Sequence, residues 1–360
     1  MKILKYLFFL LLLVFIGGAI YFGTKDGSYQ IQETTTIAAH PQLVYNKVND
    51  LNSWESWSPW KKTKPTNIFN TAEQATGEGA SVSWDGAEEG YITTMKAIPN
   101  TTIEQQLVQN TFMGDRTSHV LWNFNDTASG TEVTWTIEGE HSLSDKIYLT
   151  LRNINFKKVL YARMQESLQD LNQEIEEAMK AYAINVDGVT HYGGGYYMYT
   201  TSASQKTEVH NRIKPMFQEV SNFMAANNIQ AAGKPFVLFI ETDAATNTVI
   251  FSTCFPVSER VVTPQSSAIV SGFMNPVTAV KTTLKGHYKN IDEAYAKAED
   301  YLMSNGYEKD TDRDVFEVFS TNPDEVPNPA DWITEIYIPI VSEPQNIDSS
   351  SEPEIELEKI

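Results

Sequence analysis

The chain has 360 residues, 41% of them hydrophobic and 11% aromatic, which suits two ordinary domains and is too apolar for global disorder. Its formal net charge of -19 argues against nucleic acid, and against an anionic membrane surface, as a partner of the soluble part. The lone cysteine, Cys254, excludes an intramolecular disulfide framework and any cysteine-cluster metal site, the histidines form no HExxH pattern, and no Walker loop, GxGxxG turn or GxSxG elbow occurs, so neither metal nor cofactor is expected.

Tyr6 to Phe22 is an uninterrupted run of apolar residues and glycine, preceded by Lys2 and Lys5. As a helix this run rises ~25 Å, enough for a thin bilayer, and it lacks the polar stripe of a core helix. Residues 1–23 are therefore read as a transmembrane anchor, crossing through residues 6–22. Two lysines and the amino terminus precede the span and only Lys25 closely follows it, so the charge bias keeps the amino terminus cytoplasmic. The body of this single-pass protein is then expected on the exported, periplasmic or extracellular, side. A cleaved signal peptide is the rival reading, although no A-x-A site follows the run.

Tyr29 to Ala38 reads as a first strand, and His40-Pro41 opens a helix through Leu43, Val44 and Val48. Trp54, Trp57 and Trp60, followed by Lys61 and Lys62, suggest a carbohydrate or cation platform, against the plainer reading that they plug the end of a small sheet. Strand-like runs follow at 80–84, 90–98, 102–108, 119–125 and 132–140, separated by Asp85-Gly86, Pro99-Asn100 and Ser129-Gly130 turns, which describes an antiparallel meander. Leu160, Met164, Leu168, Leu171, Ile175 and Met179 then recur at helical spacing, giving a long closing helix to about Tyr182. From the opening strand through HPQLVYNKVNDLNSWESWSPW, the GTEVTW strand and this last helix, residues 28–182 resemble the SRPBCC superfamily, the START-like or polyketide cyclase-like helix-grip fold. The resemblance implies a cavity between sheet and helix that takes lipids or other hydrophobic molecules. Trp84, Trp122 and Trp135 are the side chains expected to fill it if it is closed.

After a linker at Ala183–Gly188 the segment reads twice as strand, helix, strand, strand. The first half has GGGYYMYT at 193–200, a helix at 207–227 and strands at 235–241 and 247–257. The second has strands at 278–284, 314–320 and 332–340 and a helix at 291–305, with Asn290 and Glu293 as its capping box and Gly306 as its left-handed stop. In the last strand, alternation puts Ile333, Glu335 and Tyr337 on one face and Thr334, Ile336 and Ile338 on the other. Glu335 thus sits among apolar neighbours, where an ionised carboxylate must be partly wet, paired, protonated or opposite a cationic ligand. An edge strand with Glu335 facing water is the plainer alternative.

LKGHYKNIDEAY at 284–295, FEVF at 316–319, NPDEVPNPADWITEIYIPI at 322–340 and CFPV at 254–257 are similar to the GyrI-like family, also called the effector-binding domain of AraC-type and MerR-type multidrug regulators. The resemblance covers 190–342 and implies two βαββ units around a groove, in which a glutamate ringed by aromatic side chains pairs with lipophilic cations. It maps that role onto Glu335, with Tyr337, Trp332 and Tyr295 as walls and Glu317 as a further pocket carboxylate. The fold expected is α+β: a transmembrane helix, a helix-grip domain and a duplicated βαββ domain. The function expected is membrane-anchored capture of a hydrophobic or cationic small molecule. A hydrolase acting on electrophilic toxins through Glu317, Tyr295 and Tyr337, or a lipid carrier built on the first domain, are the alternatives. Residues 343–360 are acidic, poor in large apolar residues, and expected to be a solvated disordered tail.

Overall fold

The structure, a computed structural model, describes residues 2–62, 66–86, 89–111, 114–243 and 245–341, so the acidic tail lies outside the described residues. The fold is α+β, with an N-terminal apolar helix and two antiparallel sheets, one in each of two compact units, Met1–Lys180 and Ala181–Ile360.

Unit one begins with helix α1 (Lys2–Thr24), whose apolar side chains are exposed along its length. It is long and apolar enough to cross a membrane, a test that a signal sequence also passes. Strand β1 (Ser28–Ile37) leads into α2 (Pro41–Asn49), where the His40 side chain accepts from the Gln42 amide and Pro41 supplies the first helical residue. Two single-turn helices follow, α3 (Trp54–Trp57) and α4 (Pro59–Lys62). The sheet continues with β2 (Ile68–Thr71), β3 (Ser81–Asp85), β4 (Glu89–Ile98), β5 (Thr102–Thr111), β6 (Gly114–Thr127) and β7 (Gly130–Glu140), and two helices close the unit, α5 (Leu143–Leu151) and α6 (Phe156–Lys180). The strand order is β1-β7-β6-β5-β4-β3-β2. Met164, Leu168, Leu171 and Ile175 of α6 enter the core against it. The tryptophans decide the character of that core. Trp54, Trp57, Trp84, Trp122 and Trp135 are fully buried and Trp60 is 2% exposed, with Trp54 stacked on Trp60 at 5.6 Å and Trp122 on Trp135 at 4.3 Å. A platform for a sugar or cation needs exposed indole faces, so that reading of Trp54, Trp57 and Trp60 is corrected: they are packing.

Unit two opens on β8 (Ala183–Tyr192), where a linker was expected: Ala183 to Tyr192 pair along the edge of a sheet, with a bulge at Asp187. Then come β9 (Gly195–Gln205), α7 (Val209–Ala226), β10 (Phe236–Asp243), β11 (Thr248–Val257), β12 (Val270–Met274), β13 (Val277–Lys285), α8 (Ile291–Asn305), β14 (Val315–Phe319) and β15 (Ile333–Pro339). Their order is β12-β9-β11-β10-β14-β15-β13-β8. Gly306 ends α8 with φ 73°, as its position predicts, but Asn290 makes no capping hydrogen bond. Glu293 instead accepts from the Tyr182 hydroxyl at 2.6 Å and pairs with Lys297.

Both helices cover one face of this sheet. Val209, Ile213 and Met216 of α7 pack with Val237, Phe251 and Phe319, while Ile291, Ala294, Ala298 and Leu302 of α8 pack with Val280, Leu284, Ile336 and Ile338. The other face is also apolar, with Phe236, Phe316, Val318 and Tyr337 buried beside Tyr192 and Tyr197. Chain connectivity explains how it is buried without a helix. Flat, the sheet would hold β8 about 29 Å from β9 at ~4.8 Å per strand. Only Gly193 and Gly194 join them, and only Asn275 and Pro276 join β12 to β13. Links that short span on the order of 10 Å, so the sheet curls until its two sides approach at these links, and the second face becomes the inside of the curl. Gly194 makes the junction possible: at φ 64° its added Cβ would stand 2.2 Å from the Met274 carbonyl oxygen.

Candidate functional site

Glu317 lies on β14 at the middle of the sheet, opposite Val237 of β10 and Ile336 of β15. Alternation sends Phe316 and Val318 into the curl and Glu317 and Phe319 to the helix side. Glu317 therefore sits at the seam between the α7 cluster and the α8 cluster, 1% exposed. A carboxylate so placed must find donors. The Tyr295 hydroxyl of α8 donates to Oε1 at 2.9 Å, and His210 Nε2 of α7 stands 3.8 Å from Oε2. Among the described residues, neither Oε2 nor that Nε2 has a hydrogen-bond partner.

The electrostatics follow from this trio. Burial disfavours the His210 imidazolium, yet the Glu317 carboxylate, with Asp292 behind it, outweighs burial and holds the His210 pKa above that of free histidine. Burial first, then Glu317, pushes the Tyr295 hydroxyl well above the ordinary tyrosine range, so it stays a proton donor. Tyr288 is shifted upward by the same two causes. Its half-buried ring stands 6.0 Å from His210, 5.5 Å from Phe319 and 4.9 Å from Trp332, forming an aromatic wall beside the carboxylate. Trp332 is fixed by its indole N–H on the Val326 carbonyl at 2.7 Å, and His287 packs on it at 5.4 Å.

Glu335 and Tyr337 occupy the opposite face. Tyr337 is buried inside the curl, stacked on Phe316 at 4.7 Å, and its hydroxyl donates to Glu335 Oε2 at 3.2 Å. Lys281 of β13 meets Glu335 Oε1 at 2.7 Å, with Asp187 another 3.9 Å from the same ammonium. Glu335 is thus a half-buried carboxylate that the chain itself neutralises. The five residues singled out from the sequence do not form one cluster: Tyr295, Glu317 and Trp332 belong to the helix side, Glu335 and Tyr337 to the inside of the curl. His210, Tyr288 and Lys281 were missed. His210 carried a signal, since it falls on the 210, 213, 217, 220, 224 stripe that α7 turns toward the sheet. Lys281 carried one too, as an ammonium inside an alternating strand. Among the described residues, no group of three His, Cys, Asp or Glu is placed to hold a metal ion.

Unit one holds a separate cavity of about 470 Å³ between the sheet and the α5–α6 pair. Trp60, Leu107, Ile137, Phe156 and Leu160 give it apolar walls, and Glu89, Gln109, Asn110 and the Arg116–Asp145 pair, 3.9 Å apart, give it polar ones.

The family described as the GyrI-like small molecule binding domain matches residues 198–341. Among solved structures, the EcmrR C-terminal domain is 18% identical, with a TM-score of 0.38, and the match covers 45% of this chain and 98% of that one. The protein CV1439 from Chromobacterium violaceum is 14% identical, with a TM-score of 0.32 and coverage of 40% and 95%. An EcmrR–DNA complex is 16% identical, with a TM-score of 0.38 and coverage of 56% and 77%. The exclusion of nucleic acid expected from the net charge gains no support from these comparisons. A search of curated proteins finds no match. On the family match, residues 198–341 are similar to a GyrI-like small-molecule-binding domain.

Proposed function

We propose that unit two captures a hydrophobic, positively charged small molecule at the α7–α8 seam, with Glu317 as the counter-charge and Tyr288, Trp332 and Tyr295 as walls. The observation that carries this reading is the contrast between two glutamates. Glu317 is 1% exposed with Oε2 lacking a hydrogen bond, whereas Glu335 already holds Lys281 at 2.7 Å. A ligand cation reaching Glu317 would gain a desolvated charge pair and aromatic faces worth ~0.5–2 kcal/mol each. It enters by displacing His210 or Tyr288, the partly exposed groups over the site. In this reading unit two is two βαββ units paired about the β10–β14 contact, and α1 anchors the protein in a membrane.

Titrating the full chain with a cationic dye and an uncharged isostere tests it. Glu317→Gln should weaken the cation by roughly thirtyfold or more, the cost of a buried charge pair, and the isostere little. Equal losses for both dyes would sink the proposal. Turnover of an electrophilic substrate that disappears in Glu317→Gln would replace binding by hydrolysis, with His210 and Tyr295 as proton-transfer groups.

A second reading has its own support in unit one, which we infer to be an SRPBCC-type hydrophobe carrier: the 470 Å³ cavity, apolar on one side and polar on the other, lies between sheet and closing helices, where that fold would place its ligand. Lipid that co-purifies with the protein, and that Leu107→Trp excludes, would support it.

A further inference from the structure

The charge of the chain reverses beside the foot of α1. Residues 141–163, spanning α5, the turn after it and the start of α6, carry Lys146, Arg152, Lys157, Lys158 and Arg163 against one acidic residue, Asp145. That is a formal +4 in a chain of -19. The same stretch exposes large apolar side chains: Leu151 is 78% exposed, Leu143 and Val159 45%, and Ile154 38%. Asn153, at φ 52°, turns the chain so that Leu151 and Ile154 flank the tip of the α5–α6 corner. The corner is also tied to the apolar helix: Lys146 Nζ donates to the Lys25 carbonyl at 2.6 Å, and Lys25 Nζ to Thr150 Oγ1 at 3.4 Å. Lys25 directly follows α1.

Apolar side chains ringed by cations are unfavourably solvated in water but suited to the headgroup region of an anionic bilayer, where the apolar groups enter the acyl boundary and the cations meet lipid phosphates. We propose that the α5–α6 corner is seated on the anionic bilayer that α1 crosses. Covalent continuity selects this occupant, because a helix that spans the membrane ends one residue from a hydrogen bond to α5. The net charge argues against an anionic surface for the chain as a whole, whereas this corner is locally basic. The cavity gives the contact a use. Tyr148 and Val159 line it and are 39% and 45% exposed, so the docked corner and the cavity share two side chains through which a hydrophobe would reach it.

This inference rests on α1 acting as an anchor, and the test separates the two. The full chain, with α1 retained by intact mass, is reconstituted into phosphatidylcholine vesicles with and without phosphatidylglycerol. Leu151→Cys and, as a control, Ser129→Cys carry an environment-sensitive fluorophore; the buried Cys254 stays unlabelled. Ser129 lies in the β6–β7 turn, at the far end of β7 from α5. The Leu151 probe should shift to the blue and be quenched by nitroxide-bearing lipids, more strongly with phosphatidylglycerol, while the Ser129 probe stays wet. Lys157→Glu and Lys158→Glu should each lower the docked-to-undocked ratio about fivefold or more. A Leu151 probe quenched no more than the Ser129 probe overturns the docking, whether it is in water or shielded by a second protein copy. A chain that does not stay with the vesicles overturns the anchor instead.

Discussion

The Tyr295 hydroxyl donates to Glu317 Oε1 at 2.9 Å, joining the middle of α8 to the central strand β14 and leaving Oε2 of the same carboxylate to His210 at 3.8 Å. Half of a buried charge is thus well solvated by the protein and half is not. Tyr295→Phe removes the better half. A hydrogen bond to a charged group is worth about 1.5–3 kcal/mol, so the urea midpoint of unit two should fall by that equivalent. Cation affinity should hold or rise, because a carboxylate with fewer protein donors gains more from a ligand. A variant that loses affinity and keeps its stability would show that the Tyr295 hydroxyl binds the ligand and does not hold Glu317.

Acid should switch the site off. The His210 pKa lies above 6.5 because the attraction of Glu317 exceeds the burial penalty. A raised histidine pKa contributes stability that is fully present below the unfolded value and is lost as pH rises through the folded value. Ligand binding runs the other way, since below that folded pKa the imidazolium already neutralises Glu317, and above it the carboxylate is open to an external cation. The affinity of a cationic dye should therefore climb with pH through this window while an uncharged isostere stays flat. His210→Asn should flatten the cation profile. Isothermal titration at a series of pH values gives the comparison.

Lys281 and Glu335 should behave as an ordinary half-exposed pair. Their side chains are 25% and 22% exposed, so solvent screens the 2.7 Å contact and a double-mutant cycle of Lys281→Met and Glu335→Gln should return roughly 0.2–1 kcal/mol. Cationic dye binding should change less than about threefold in either variant. A loss in Glu335→Gln that matched Glu317→Gln would return the counter-charge to the inside of the curl.

Alternation along β15 puts Glu335 and Tyr337 on a common face, and their hydrogen bond shows that face. What alternation does not supply is the partner two residues off on the neighbouring strand, because the β13–β15 register that brings Lys281 beside Tyr337 is set by the fold of the whole sheet. The curl was hidden for the same reason. A sheet edge such as Ala183 to Tyr192, with every second side chain exposed and a glycine at its bulge, has the composition of a linker. Glu317 was visible as a residue but not as the better-placed carboxylate: the difference lies in Tyr295, His210 and Lys281, each from an element distant in sequence. The tryptophans were legible as packing because indoles spaced by three beside a proline have no continuous polar face to keep wet.

That packing makes one more prediction, in unit one. The Trp122 indole N–H donates to Gln105 Oε1 at 3.1 Å, and Gln105 Nε2 donates to Thr94 Oγ1 at 3.3 Å, all within the buried core. Trp84 and Trp135, by contrast, keep buried indole N–H groups with no partner among the described residues. Gln105→Leu preserves bulk but strands the Trp122 donor, at a cost of about 1–3 kcal/mol. Trp122→Phe frees the Gln105 acceptor and leaves a small void, at a similar cost. In the double variant no donor or acceptor of this pair is left unmatched, so its destabilisation should be less than the sum of the two by roughly 1–2 kcal/mol. Denaturant titration of the four proteins measures that coupling. Strict additivity would mean that the indole finds another acceptor when Gln105 is gone, and that the core is held by the area of its rings alone.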